Sequence, residues 1–134
     1  MELLHAPDSK VRSFVGLARR SGAIALGRSS CRRAAHQGKL RLLVLAKGAG
    51  GSVLRDSGAA ENVPVLQSAM TKEEWGQQLG RSSVAVLGLT DADLARGLLQ
   101  VAKPITEAIV TEDQSPEQGG GVGRGGENQE EADL

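Results

Sequence analysis

Four short apolar runs, spaced along the chain between amphipathic segments, constrain its fold more than any other feature. They are Ala23–Leu26, Leu40–Ala46, Val63–Leu66 and Val84–Leu89. Each has strand length, and LRLLVLA is apolar at nearly every position, as a central strand covered on both faces requires. Pro64 places the start of its run at a sheet edge or a strand start.

Between the runs, apolar residues return at helical spacing. Val11, Phe14, Val15 and Ala18 form one stripe, and Arg12, Arg19 and Arg20 fall outside it. Ser9 is placed to cap this helix and Gly22 to end it. A second helix is expected over Ser29–Gln37, with Gly38 as a left-handed stop. A third covers Ser52–Asp56 after the glycine-rich loop Lys47–Ser52. Thr71 and Glu74 have capping-box spacing for a fourth, which carries Trp75 and Leu79 on one face and stops at Gly80. Thr90 with Asp93 caps a fifth, whose buried stripe is Leu94, Leu98 and Val101. The expected class is α/β, with a parallel or mixed sheet covered on both faces.

Charge divides the chain where this pattern stops. Residues 1–103 hold 15 Lys and Arg against 8 Asp and Glu, a net +7. Residues 104–134 hold one Arg against 8 acids, a net −7. The domain reading is therefore a flexible leader over 1–9, a domain over 10–103, and an acidic, glycine-rich tail over 104–134. The tail has too few large apolar groups to offset the entropy of ordering and is expected to be disordered. Its charge complements that of the domain. Within the domain, residues 1–41 carry nine cationic side chains against only Glu2 and Asp8. Six of the nine are arginines between Arg12 and Arg33, the side chain suited to bidentate phosphate contacts, so a polyanionic partner is expected.

Composition excludes several chemistries. With one Phe, one Trp and no Tyr, stacking bases on an aromatic platform is largely closed off. Cys31 is the single cysteine, so neither an internal disulfide nor a multi-cysteine metal site can form. His36 has no second ligand or acid at helical spacing. Glu73 and Glu74 are adjacent and point apart, so they do not form a carboxylate pair. The loop Lys47–Ser52 follows a strand and opens a helix, where phosphate loops sit. It has neither the Gly-x-x-x-x-Gly-Lys-Ser/Thr nor the Gly-x-Gly-x-x-Gly spacing and reads as a surface turn. Cys31 lies between cations, but without a base or partner thiol it reads as a small helix residue. The expectation is no enzyme, no cofactor and no metal. The first ten residues lack the basic and apolar regions of a secretory signal, and no run approaches the ~18 apolar residues of a membrane span. A cytoplasmic, monomeric protein is expected.

One constellation does carry chemistry. In Gly27-Arg28-Ser29-Ser30-Cys31-Arg32-Arg33 a glycine ends a strand and small hydroxylic residues start a helix, with arginines on either side. The free N–H groups of a helix start favour an anion. Ser29 and Ser30 can bond phosphates or base edges, and Arg28 and Arg33 can add charge-assisted bonds. Ser29 also reads as an ordinary N-cap.

Through VRSFVGLARRSGAIALG, the basic helix RSSCRRAAHQGK, the strand LRLLVLAKGA and the final stretch from Asn62 to Gln100, the chain resembles a known family. It is similar to the kink-turn-binding ribosomal proteins of the archaeal L-seven-Ae type, and most of all to their bacterial YlxQ-like branch. The resemblance covers Val11–Val101. It implies a three-layer α/β/α sandwich with a four-stranded mixed sheet. It also implies binding to structured RNA, ribosomal RNA included, at a kink where sheared G·A pairs follow a bulge. The family grips RNA with the loop that opens the second helix and the loop before the last strand, here Gly27–Arg33 and Gly80–Val84. Its Gly-x-Asn-Glu-x-x-Lys pattern becomes Gly27, Arg28, Ser29, Ser30, Cys31, Arg32, Arg33. Ser29 and Ser30 replace the pair that reads the guanines, and their shorter hydroxyls lack its bidentate geometry. The expected RNA-binding set is Gly27, Arg28, Ser29, Ser30, Arg32 and Arg33, with Arg81, Ser82 and Ser83 lining the second loop and Lys47 adding a phosphate contact. The competing expectation is a protein-interaction module on the same scaffold, using Trp75 or the fifth helix.

Overall fold

The computed structural model describes residues 3–58 and 62–105. The chain divides into two units, Met1–Ala102 and Lys103–Leu134. In chain order the first unit contains β1 (Leu3–His5), α1 (Asp8–Arg20), β2 (Ile24–Leu26), α2 (Gly27–His36), β3 (Leu42–Leu45), α3 (Gly51–Asp56), β4 (Val65–Gln67), α4 (Lys72–Leu79), β5 (Val86–Leu89) and α5 (Ala92–Leu99). Of the second unit, the described residues include a two-residue strand, β6 (Lys103–Pro104). The rest of the acidic tail, from residue 106 on, lies outside the described residues.

The alternation of strands and helices appears as the apolar pattern predicts. The sheet is larger than expected, with five strands in the first unit alone rather than four. Within the first unit the order is β2-β5-β3-β4-β1. β5 runs antiparallel to both β2 and β3, whereas β3, β4 and β1 are parallel. The additional strand comes from the expected leader. Leu3 and Leu4 pair with Val65 and Leu66, so β1 extends the sheet beside β4. The pairing partner lies some sixty residues away, and a run of three residues carries no local signal of it.

Residues of β3 alternate between two cores, as the two-residue period of a strand requires. Leu42 and Val44 join Leu66, Leu87 and Leu89 under α1, α4 and α5, which contribute Val11, Val15, Ala18, Trp75, Leu79, Ala95 and Leu98. Leu43 and Leu45 join Val65 and Val86 under α2, with Cys31 and Ala34 as its buried contacts. Val53 and Leu54 of α3 pack on the same cluster. The result is helix, sheet, helix. Gly88 lets α2 sit close on β5. A Cβ there would lie 2.5 Å from Leu40 Cδ1 and 3.3 Å from Cys31 Sγ.

Several helix boundaries differ from those read in the sequence. α1 begins at Asp8 rather than Lys10, and Pro7 precedes it, so Ser9 lies inside the helix and caps nothing. α2 begins at Gly27, two residues before Ser29, with no side-chain cap. α5 is capped by Asp91, whose carboxylate accepts from the N–H groups of Asp93 and Leu94 at 2.8 and 3.0 Å. Thr90 is not the cap. Val101 is exposed, and Ala95 takes its place in the buried stripe with Leu98. Gly22 and Gly38 do follow α1 and α2 with left-handed φ values of 75° and 70°.

Candidate nucleic-acid interface

Sheet register brings three segments to one end of the domain. β2 and β5 are antiparallel, with Leu26 opposite Leu87, so the start of α2 lies beside the start of β5. β3 and β5 are also antiparallel, with Leu45 opposite Val86, which puts Lys47 at the same end. Two backbone bonds fasten the loops there. Ala46 N–H donates to Ala85 C=O at 2.9 Å and Lys47 N–H to Met70 C=O at 2.7 Å. The segment Arg81–Ser83 is tied in by Val84 N–H to Lys72 C=O at 2.9 Å and by Arg81 N–H to Gly76 C=O at 2.7 Å. Gly76 admits this loop against α4, since a Cβ there would stand 2.6 Å from Arg81 O and 2.8 Å from Ser82 O. The start of α2, Lys47 and Arg81–Ser83 thus lie along one rim, the end of the sheet where β5 begins, although more than fifty residues separate the first from the last.

The rim side chains divide into two kinds. Arg28 and Arg32 turn toward the end of α3. Arg28 Nη1 lies 3.3 Å from Asp56 Oδ2, and Arg32 Nη1 donates to Asp56 C=O at 2.9 Å. Both members of the Arg28–Asp56 pair are about half exposed, so the pair contributes little net stability. It orients the two guanidinium groups and leaves them at the surface. Sequence spacing gave no hint of Asp56 as their partner, because α2 and α3 meet only in the folded chain. Among the described residues, Arg33, Lys47 and Arg81 are exposed and form no ion pair.

Gly27 opens α2 with φ +88°, a left-handed conformation that favours glycine. Ser29 is exposed, Ser30 half-buried, and neither hydroxyl bonds to another described residue. The N-cap role read for Ser29 is therefore absent. Cys31 is fully buried between α2 and the sheet, and burial pushes its thiol up to about 12. That outweighs any lowering by neighbouring cations and makes it an inert core residue.

Beside the rim, the loop Lys47–Gly50 and the start of α4 enclose an open pocket of about 460 Å³, lined also by Val53, Thr71 and Ala85. Gly48 takes φ +81° as the loop turns. Sequence reading made this loop a surface turn and missed the concavity, which needs Thr71–Glu73 from a distant segment. Trp75 does not face solvent. Its Nε1 donates to Ser68 Oγ at 2.9 Å inside the core, and Ser68 Oγ donates to Leu45 C=O at 2.7 Å. It is therefore not a docking residue. Among the described residues, no three His, Cys, Asp or Glu side chains gather into a metal-binding group. No described helix is long and apolar enough to cross a membrane.

No protein-family model and no curated protein matches the chain. Solved structures do. One is a protein of unknown function from Bacillus halodurans C, at 26% identity and a TM-score of 0.56, covering 67% of this chain and 93% of that one. Another is the Giardia lamblia 15.5kD RNA binding protein, at 16% identity and a TM-score of 0.50, covering 69% of this chain and 88% of that one. At that identity the likeness is one of fold, and the chain shares the mixed α/β architecture of an RNA-binding protein.

Proposed function

We propose that this protein binds structured RNA without catalysing a reaction, through the rim formed by Gly27–Arg33, Lys47 and Arg81–Ser83. The observation that carries the reading is the convergence of these segments at one end of the sheet. Exposed cations from one helix and two loops share this end with an uncapped helix start and with serine hydroxyls that have no described internal partner. Arg33, Lys47 and Arg81 neutralise phosphates. Ser29, Ser30, Ser82 and Ser83 supply short hydrogen-bonding groups to backbone or base edges. Arg28 and Arg32 are pre-oriented by Asp56 and reach the same polyanion from the side. The shared fold with an RNA binding protein supports this assignment.

A kinked RNA helix, ribosomal or in a regulatory leader, is the substrate class we favour. The resemblance to kink-turn-binding proteins over Val11–Val101, whose gripping segments align with Gly27–Arg33 and Gly80–Val84, is what favours it. Gel shifts with a kink-turn RNA and a matched unkinked duplex test both levels. Tighter binding to the kink-turn supports the finer reading. Equal binding to both removes the kink preference, and no binding to either at low salt removes RNA as the partner.

A further inference from the structure

A second cationic concavity lies on the opposite face of the sheet from α2. Arg12, Ser13, Gly16, Arg19 and Arg20 of α1 face Gln78 and Leu79 of α4 across a groove of about 340 Å³. Helical spacing puts positions 12, 16, 19 and 20 on one side of α1. The space at Gly16 is open, since a Cβ there would meet only Arg20 Nη1, at an ordinary contact distance of 3.6 Å. The two walls are tied by Gln78 Nε2, which donates to Arg12 C=O at 3.2 Å. Arg12 Nε donates to the sulfur of Met70 at 3.2 Å. Among the described residues none of the three arginines is in an ion pair. The nearby carboxylate of Glu74 is engaged by the backbone N–H of Thr71.

We infer that this α1–α4 groove holds a second stretch of RNA backbone, continuous with the rim through Gly80 and Arg81. The inference rests on the RNA-binding reading and adds a contact surface to it. Continuity follows from the chain itself. Leu79 lines the groove, Gly80 comes next with its Cβ position 3.3 Å from Arg19 Nη2, and Arg81 begins the rim loop. Arg12 and Arg19 are two turns apart, roughly 10 Å along the helix. A groove of that length can face more than one backbone phosphate at once, which is what makes the contact salt-dependent. The groove lacks an aromatic side chain, so it recognises charge rather than bases. Its occupant is the stem flanking the RNA element held at the rim.

The experiment is a salt series of binding constants for the full chain, on one RNA element carried on a long stem and on a short stem. The variant Arg12→Gln/Arg19→Gln/Arg20→Gln is compared with the wild type. The slope of log affinity against log salt on the long stem should fall by about 2–3 in the variant. On the short stem the two proteins should converge, and Arg→Lys at the same positions should keep the wild-type slope. The double variant Arg19→Gln/Arg20→Gln retains the Arg12–Met70 contact, so it reads the same effect, about 1–2 in slope, if the triple variant folds poorly. Unchanged slopes with intact wild-type binding overturn the groove and leave the rim reading standing. Loss of wild-type binding to both RNAs overturns both. Tighter, arginine-dependent binding of polyglutamate than of RNA makes the occupant an acidic protein segment and also overturns the inference.

Discussion

The starts of α2 and α4 face the same local problem and meet it differently. Every helix start leaves backbone N–H groups without intrahelical partners. α4 satisfies its own. Glu74 N–H donates to Thr71 Oγ1 at 3.1 Å, Thr71 N–H donates to Glu74 Oε1 at 2.8 Å, and the acids Glu73 and Glu74 stand in the first turn. α2 has no side-chain cap and no acid in its first turn, and Arg28 lies there instead. Positive charge at a helix start opposes the macrodipole. One helix start is thus completed within the protein. The other concentrates donors and cations at the surface, an arrangement that an external anion would stabilise.

Replacing residues on the two sides should separate these roles. The largest effect is expected on the α4 side. Trp75→Ala empties a fully buried site and strands the Ser68 hydroxyl, costing about 3–5 kcal/mol of stability. Denaturant unfolding checks it; a loss under about 1 kcal/mol would mean that α4 does not anchor the core as described. On the α2 side, Ser29→Asp with Ser30→Glu supplies the acids that the first turn lacks. Stability should hold or rise by about 0.3–1 kcal/mol. RNA affinity should fall on the order of tenfold or more, since like charges then face the phosphates. A parallel change in both measurements would erase the contrast between the helices.

Much of this contrast is legible in the sequence, and the part that is not has a physical reason. The capping box of α4 is a local signal, since Thr71 and Glu74 are three residues apart. The glycine stops after α1, α2 and α4 are equally local. The start of α2 is harder to place, because Ser29 resembles a cap while the helix begins at Gly27 without one. Thr90 and Asp91 are adjacent residues of cap-forming type, and spacing alone does not pick out Asp91, the one that caps α5. The pairing of β1 with β4, the Arg28–Asp56 contact and the concavities beside Lys47 and Arg12 all join distant segments. The candidate rim residues could be named from motif and resemblance. Their assembly on one rim, and the turning of Arg28 and Arg32 toward α3, required the fold.

Two smaller effects sharpen the comparison. Thr71→Ala removes the cap of α4 and should cost about 1 kcal/mol in thermal or chemical unfolding. RNA affinity should stay within twofold, because the α4 start is satisfied internally. The smallest is a pH effect. The backbone N–H of Thr71, helped by its hydroxyl and by the charge of Arg12, holds the Glu74 carboxyl below its ordinary value of 4.5. The folded value is therefore lower than the unfolded one. The stabilisation is complete above the unfolded value and is lost as pH falls through the depressed one. Glu74→Gln should lower stability near neutrality, where the stabilisation is complete, and converge with the wild type at acid pH, so the acid limb of a stability-against-pH curve flattens.

The central claim is that RNA is held at the end of the sheet where α2 begins. Amide resonances followed during titration with a kink-turn RNA test it most directly. The largest shifts should fall on Gly27–Arg33, Lys47 and Arg81–Ser83, while α5 and β1 stay still. Shifts centred on α5 or β1, with the start of α2 unmoved in an RNA-bound protein, would contradict it.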